Sequence, residues 1–165
     1  DPDVIAIGEL RDPETIQAAL AAAETGHLVV ATMHTHSATG TLQRFVDGFP
    51  DASREQVRLQ LAATLLAVLT QHLLPKKDGQ GMQVACEILI NSPNVRQCIL
   101  RKEFETIPDV IEKSKSYYKM LALNDDLARL VKDGAIEYDE AMKVTDRPGD
   151  LKLRLSGFQR DLLAG

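Results

Sequence analysis

No hydrophobic run in this chain approaches the ~20 residues that a membrane-spanning helix needs. The amino end, Asp1-Pro2-Asp3, shows no basic and apolar pattern of the signal-peptide kind. Strand-forming sequence starts three residues after Asp1, without a Met, so the chain is expected to be a piece of a longer protein. Basic excess is also missing. There are 19 Lys and Arg against 24 Asp and Glu, a net charge of −5, which excludes a generic nucleic-acid binder. Cysteine is scarce: Cys86 and Cys98 stand alone, with no CxxC. A disulfide or zinc framework is thereby excluded, and two ordinary small core residues in a reducing compartment are expected. Internal repeats and low-complexity segments are absent. What remains is 165 residues, 44% hydrophobic and 26% charged. That is enough for one globular domain, or for a core with a small appendage.

The most informative segment runs from Val4 to Thr41 and predicts strand, helix, strand. Val4-Ile5-Ala6-Ile7 is a short apolar run ending at Gly8-Glu9. Asp12 is a good N-cap, Pro13 suits the first helical turn, and Glu14 favours the positive helix end. Ile16, Ala19, Leu20 and Ala23 then share a helical face, and Gly26 stops the helix. A second apolar run, Leu28 to Thr32, ends near His34. This order predicts a right-handed βαβ unit and an α/β fold with a mostly parallel sheet. Ligands bind at the carboxyl ends of parallel strands. Glu9 and the histidines after the second strand therefore predict one site, suited to a phosphate and its metal.

Ser37 predicts the cap of a second helix, with Leu42, Phe45 and Val46 inward and an end near Gly48 and Pro50. Ser53 and Gln56 form a capping-box pattern, which predicts one long helix from Arg54 to about Leu74, stopped by Pro75. Lys76 to Gly81 reads as a loop, Val84 to Ile90 as a third strand, and Ser92-Pro93 as a helix start. Near residue 103 the composition becomes more charged. Short helices are expected there: about Ile107 to Lys113, Tyr117 to Lys132 ending at Gly134, Tyr138 to Val144, and Leu151 to Leu163. Asp139 and Asp150 read as turn or cap residues. The expected division is an α/β core, 1–102, and a helical appendage, 103–165.

Glu9 can hold Mg2+, directly or through water, and orient an attacking water; a solvated or ion-paired glutamate is the plain alternative. Gly8 leaves room for a phosphate or metal. Arg11 either reaches a phosphate or makes a surface ion pair. His27 and His34 stand at opposite ends of the second strand, so one can meet a phosphate or a neighbouring subunit while the other is structural. Glu9, His34 and His36 are a conceivable zinc set. His72, inside the expected long helix, reads as structural or surface. Arg44 is open to either role, and Arg96, Arg101 and Lys102 read as a solvated face. The phosphate-cradling loop GxxxxGK[ST] is absent, so the grip on the β- and γ-phosphates is expected upstream of Asp1.

Asp1-Pro-Asp-Val-Ile-Ala-Ile-Gly-Glu-Leu-Arg-Asp and Thr25-Gly-His-Leu-Val-Val-Ala-Thr-Met-His-Thr resemble the Walker B and His boxes of the type II/type IV secretion ATPase superfamily. The resemblance points to its twitching-motility branch, the pilus retraction ATPases of the PilT/PilU kind, and covers nearly the whole chain. It implies a partial RecA-like P-loop ATPase core and a helical tail, within a hexameric ring that hydrolyses ATP with Mg2+ to power type IV pilus retraction. Glu9 would be the Walker B acid, and His27 and His34 the His-box histidines; Gly8, Glu9 and Arg11 would face the nucleotide. The Walker A and Asp-box residues would precede Asp1, leaving this piece inactive alone. Implied partners are further copies of the parent, an inner-membrane pilus platform protein and a paralogous retraction ATPase, at the cytoplasmic side of the membrane. The four-cysteine subdomain usual in the assembly and secretion ATPases is missing, which favours the retraction branch. The retraction pattern AIRNLIRE falls near Pro93-Asn-Val-Arg-Gln-Cys-Ile-Leu-Arg, where Arg96 matches its first Arg and the rest departs. An accessory PilU-like role, or a secretion-ATPase piece acting in oligomerisation and docking, is the alternative.

Overall fold

The structure is a computed structural model that describes the backbone of residues 2–163 and the side chains of residues 2–156. Asp1, which opens the acid-box resemblance, and residues 164–165, the end of the expected appendage, lie outside the described residues. Two compact units make up the chain: Asp1–Val68 with Ile90–Val110, and Leu69–Leu89 with Ile111–Gly165. The division is discontinuous in sequence, unlike the single boundary near residue 102 drawn from composition.

In the first unit, β1 (Val4–Ile7), α1 (Pro13–Glu24) and β2 (Leu28–Ala31) form the expected βαβ unit. The strands are parallel, with Val4 opposite Leu28 and Ile7 opposite Ala31. Asp12 caps α1 by accepting the Thr15 N–H and the Thr15 hydroxyl, both at 2.8 Å. These bonds, the backbone one foremost, hold its carboxyl below the usual aspartate value. Gly26 has φ 96°, a left-handed conformation that turns the chain from α1 into β2. Then come α2 (Ala38–Asp47), capped by Ser37, α3 (Asp51–Thr64), and α4 (Pro93–Arg101), capped by Ser92. A short 3-10 turn, Phe104–Thr106, follows; composition gave no sign of it. α1 packs on β2 and α3, and α3 packs on α2 and α4. Ile16, Leu20, Leu42, Val46, Val57, Leu61, Val95 and Ile99 are the buried apolar residues of that core.

The expected helix from Arg54 to Leu74 does not form as such. Its helical part starts earlier, at Asp51, with Pro50 as N-cap and no side-chain cap bond, so the Ser53–Gln56 box is not used. The helix stops at Thr64, and Ala67–Pro75 is a strand, β3. The stop comes from a distant residue. Asn91 Nδ2 donates to the carbonyls of Ala62 (3.1 Å) and Leu65 (2.8 Å), and the Asn91 N–H bonds the Leu66 carbonyl. These bonds satisfy carbonyls that a continuing helix would have used.

In the second unit, β3 pairs with β4 (Met82–Ile90). The short 76–81 connection allows only an antiparallel hairpin, because a parallel crossover needs a dozen residues or more. His72 is therefore a half-buried strand residue, not a helical one. The expected helix from Tyr117 to Lys132 is also broken. α5 (Ile107–Tyr118) ends at Lys119, which takes φ 57°, and α6 (Leu123–Lys132) starts afresh. Between them Leu121 exchanges backbone hydrogen bonds of 2.8 and 3.0 Å with Ile88 of β4. α7 (Tyr138–Val144) matches its expected span, while α8 (Pro148–Leu163) begins three residues early. Asp139 and Asp150, expected as turn or cap residues, lie inside the first turns of α7 and α8. Leu74, Ala85, Leu127, Leu130, Ile136, Leu151 and Leu155 form the buried core. Cys98, in the first unit, and Cys86, in the second, are both free.

Candidate functional site

The parallel register brings the carboxyl ends of β1 and β2 side by side, and the chain continues from each into polar residues. The junction is tied twice. The Leu10 N–H donates to the Thr32 carbonyl at 2.9 Å, and the Thr32 hydroxyl donates to the Gly8 carbonyl. Thr32 thus locks the two strand ends together, a role its place at the end of an apolar run did not disclose. Added to Gly8, a Cβ would meet no atom within 4 Å, so the room expected beside this glycine is present.

Glu9 stands at this junction with its side chain 17% exposed. Arg11 Nε donates to Glu9 Oε2 at 2.5 Å, and His34 Nε2 lies 3.4 Å from Glu9 Oε1. Of the two expectations for Arg11, the ion pair is what the geometry shows. The loop that carries His34 is braced by α2. Arg44 donates to the His34 carbonyl at 2.8 Å, and the hydroxyls of Thr35 and Thr41 are 2.6 Å apart. Ser37 accepts the Gly40 N–H at 3.0 Å, fixing the start of α2 just after the loop. Arg44 is thus a positioning residue for the His34 backbone.

His27 is not brought to Glu9. It stands at the start of β2, and a four-residue strand separates the two ends by about 13 Å at ~3.3 Å per residue. Its Nδ1 donates to the Ala22 carbonyl at 3.0 Å, with the Thr25 hydroxyl 3.1 Å away, so its ring closes the end of α1. His36 is exposed in the same loop as His34. Among the described residues no group of three His, Cys, Asp or Glu is placed to hold a metal ion, so the zinc set Glu9, His34 and His36 is not assembled. For Mg2+ the donor chemistry is different. One carboxylate at a strand end is the kind of ligand that a hard cation takes while phosphate oxygens and water fill its other positions. With Arg11 on one Glu9 oxygen, contact through water fits this geometry better than direct ligation. Arg96, Arg101 and Lys102 are exposed on or just after α4, as a solvated face should be.

A family described as "Type II/IV secretion system protein" matches residues 1–146. The chain belongs to that family. It is similar to a twitching motility protein of Neisseria gonorrhoeae, 44% identical over 143 residues, covering 87% of this chain and 38% of the relative. It is also similar to the type IV pilus ATPase PilU of Pseudomonas aeruginosa, 36% identical over 154 residues, covering 93% of this chain and 40% of the relative. Among solved structures it resembles the pilus retraction motor PilT with bound ADP, at a TM-score of 0.82 and 39% identity, covering 92% of this chain and 42% of that one. The family member described here thus spans about two-fifths of the length of these relatives. Its α/β class and parallel strand pair agree with the expected partial ATPase core.

Proposed function

We propose that the chain is the C-terminal part of a ring-forming ATPase that powers type IV pilus retraction. The observation that carries this reading is the junction of β1 and β2, where Glu9 and His34 meet at the carboxyl ends of adjacent parallel strands. Relatives named as pilus ATPases, and a similar motor structure with bound ADP, support ATP as the substrate. The geometry supports the following division of labour. Glu9 orients the attacking water and would hold Mg2+, which would supply charge to offset the phosphates. Arg11 keeps the Glu9 carboxylate aimed. His34, exposed beside Glu9, is placed to sense the terminal phosphate and pass the nucleotide state to a neighbouring surface. Gly8 keeps the approach open. His27 sets the α1–β2 turn, so its share in coupling is indirect.

On this reading the α/β core to about residue 102 carries the chemistry, and residues 103–165 form a helical subdomain. A triphosphate-gripping loop is not in this sequence, so hydrolysis belongs to the assembled parent and this piece is inactive alone. The parent forms a homo-oligomer, a hexamer by family likeness, working on an inner-membrane platform protein beside a paralogous retraction ATPase. No described helix is long and apolar enough to cross a membrane, and the motor is placed at the cytoplasmic face by family likeness. The test is ATP hydrolysis by the parent carrying Glu9→Gln, read together with its oligomeric size.

A further inference from the structure

α3 carries two arginines one turn apart, and they are treated oppositely. Arg54 is fully engaged: it donates to the Phe49 carbonyl at 2.8 Å and pairs with Asp51 at 2.7 Å. Arg58 is 8% exposed, packed on the face that also buries Val57, Leu61 and Ala62. Its Nε and Nη1 are buried and have no hydrogen-bond partner among the described residues. Among the described residues it is the one buried charged side chain of the first unit. A buried lysine or carboxylate can escape such a position by losing its charge. A guanidinium cannot, because it stays protonated at any pH a protein survives. An unpaired buried cation is strongly unfavourable, so its partner has to be supplied.

A second bare group lies nearby. Asn91 bonds the Ala62 carbonyl with its Nδ2, and Ala62 is one helical turn from Arg58, on the same face. With Nδ2 committed to carbonyls, the other amide atom is an oxygen, and that Oδ1 is also buried without a hydrogen-bond partner among the described residues. Two unmet N–H donors of Arg58 and the unmet Asn91 acceptor are thus buried in the first unit.

We propose that Arg58 is the anchor of an oxyanion site on the buried face of α3, separate from the Glu9 junction. The ligand presents oxygen to the bare Nε–H and Nη1–H, making charge-assisted hydrogen bonds with the guanidinium. Two sources offer that chemistry: a carboxylate side chain from parts of the parent outside this chain, or a free phosphate.

The test uses the full-length parent as wild type, Arg58→Met and Arg58→Lys, and follows thermal unfolding against inorganic phosphate and against pH. If phosphate is the ligand, the wild-type midpoint rises saturably with phosphate and Arg58→Met does not respond. If the ligand is a protein carboxylate, phosphate has no effect. The wild type then loses stability more steeply than Arg58→Met as pH falls through the carboxylate range, because the paired acid titrates low. Arg58→Lys keeps the charge and loses the guanidinium N–H donors, so its response is several-fold weaker; it also stands in if the Met variant fails to fold. Profiles that run parallel in wild type and Arg58→Met, or a Lys variant indistinguishable from wild type, overturn the proposal.

Discussion

Glu9 is held from two sides, by Arg11 on one oxygen and by His34 near the other. That arrangement assigns different fates to the two histidines of the box. His34 is exposed and stands 3.4 Å from the acid, so His34→Ala in the parent should slow hydrolysis about tenfold, roughly 1.4 kcal/mol of transition-state stabilisation. Steady-state phosphate release checks this. His27 bonds the backbone of α1, so His27→Ala should cost ~1 kcal/mol of stability and leave the hydrolysis rate at low temperature near wild type. A denaturant melt beside an activity assay separates the two effects. Glu9 was legible in the sequence because four apolar residues ran straight into Gly8-Glu9. The spacing of His27 and His34 already placed them at opposite strand ends. Thr32 and Arg44 were less legible, since their partners are backbone carbonyls 24 and 10 residues away.

At the level of elements, breaks were harder to read than starts. Asp12, Ser37 and Ser92 cap helices through bonds to residues three positions on, and such local chemistry shows in sequence. The end of α3 is made by Asn91, and the gap between α5 and α6 by Ile88. Both partners come from elsewhere in the chain, and Leu-rich sequence continues past both breaks without a proline or glycine. The helical tail is fastened by charge as well as by its apolar core. Arg154 of α8 donates to Asp150 at 2.8 Å, to Glu112 at 2.6 Å, and to Asp125, while Lys115 bridges Glu112 and Asp125 at 2.7 Å each. Burial pushes the Asp150 carboxyl up. Hydrogen bonds from Arg154 and Asn124, with the charges of Arg154 and Arg147, more than offset that and leave its pKa below the usual value. An acid lowered in this way stabilises the fold above its ordinary pKa, and the stabilisation disappears as pH falls through the lowered value. Arg154→Met should therefore cost about 2 kcal/mol near neutral pH, because it leaves three carboxylates facing one another. The cost should shrink toward pH 3, which urea melts at several pH values would read.

For the whole molecule, the exposed face of the β1–β2 sheet is the clearest sign of what the chain needs. The register puts Val4, Ala6, Leu28 and Val30 on one face, and Val4, Leu28 and Val30 are 55%, 45% and 54% exposed. Parallel sheets are stable when both faces are covered, and an isolated strand pair is marginal. In this chain alone the face is open, so the chain should self-associate. Val30→Lys should raise the concentration at which light scattering begins several-fold, and an unchanged onset would mean that the face is covered by other means. Composition showed apolar strands but could not show which of their faces lacks a neighbour. That depends on register and on what packs against it.

The central claim is that Glu9 belongs to a nucleotide site. The most direct measurement is ATP hydrolysis by the full-length parent, wild type beside Glu9→Gln, with the size of both assemblies determined in the same buffer. The account predicts a fall in hydrolysis of about a hundredfold or more with the assembly intact. Hydrolysis at the wild-type rate by an intact Glu9→Gln assembly would contradict it and leave Glu9 as no more than the ion-pair partner of Arg11.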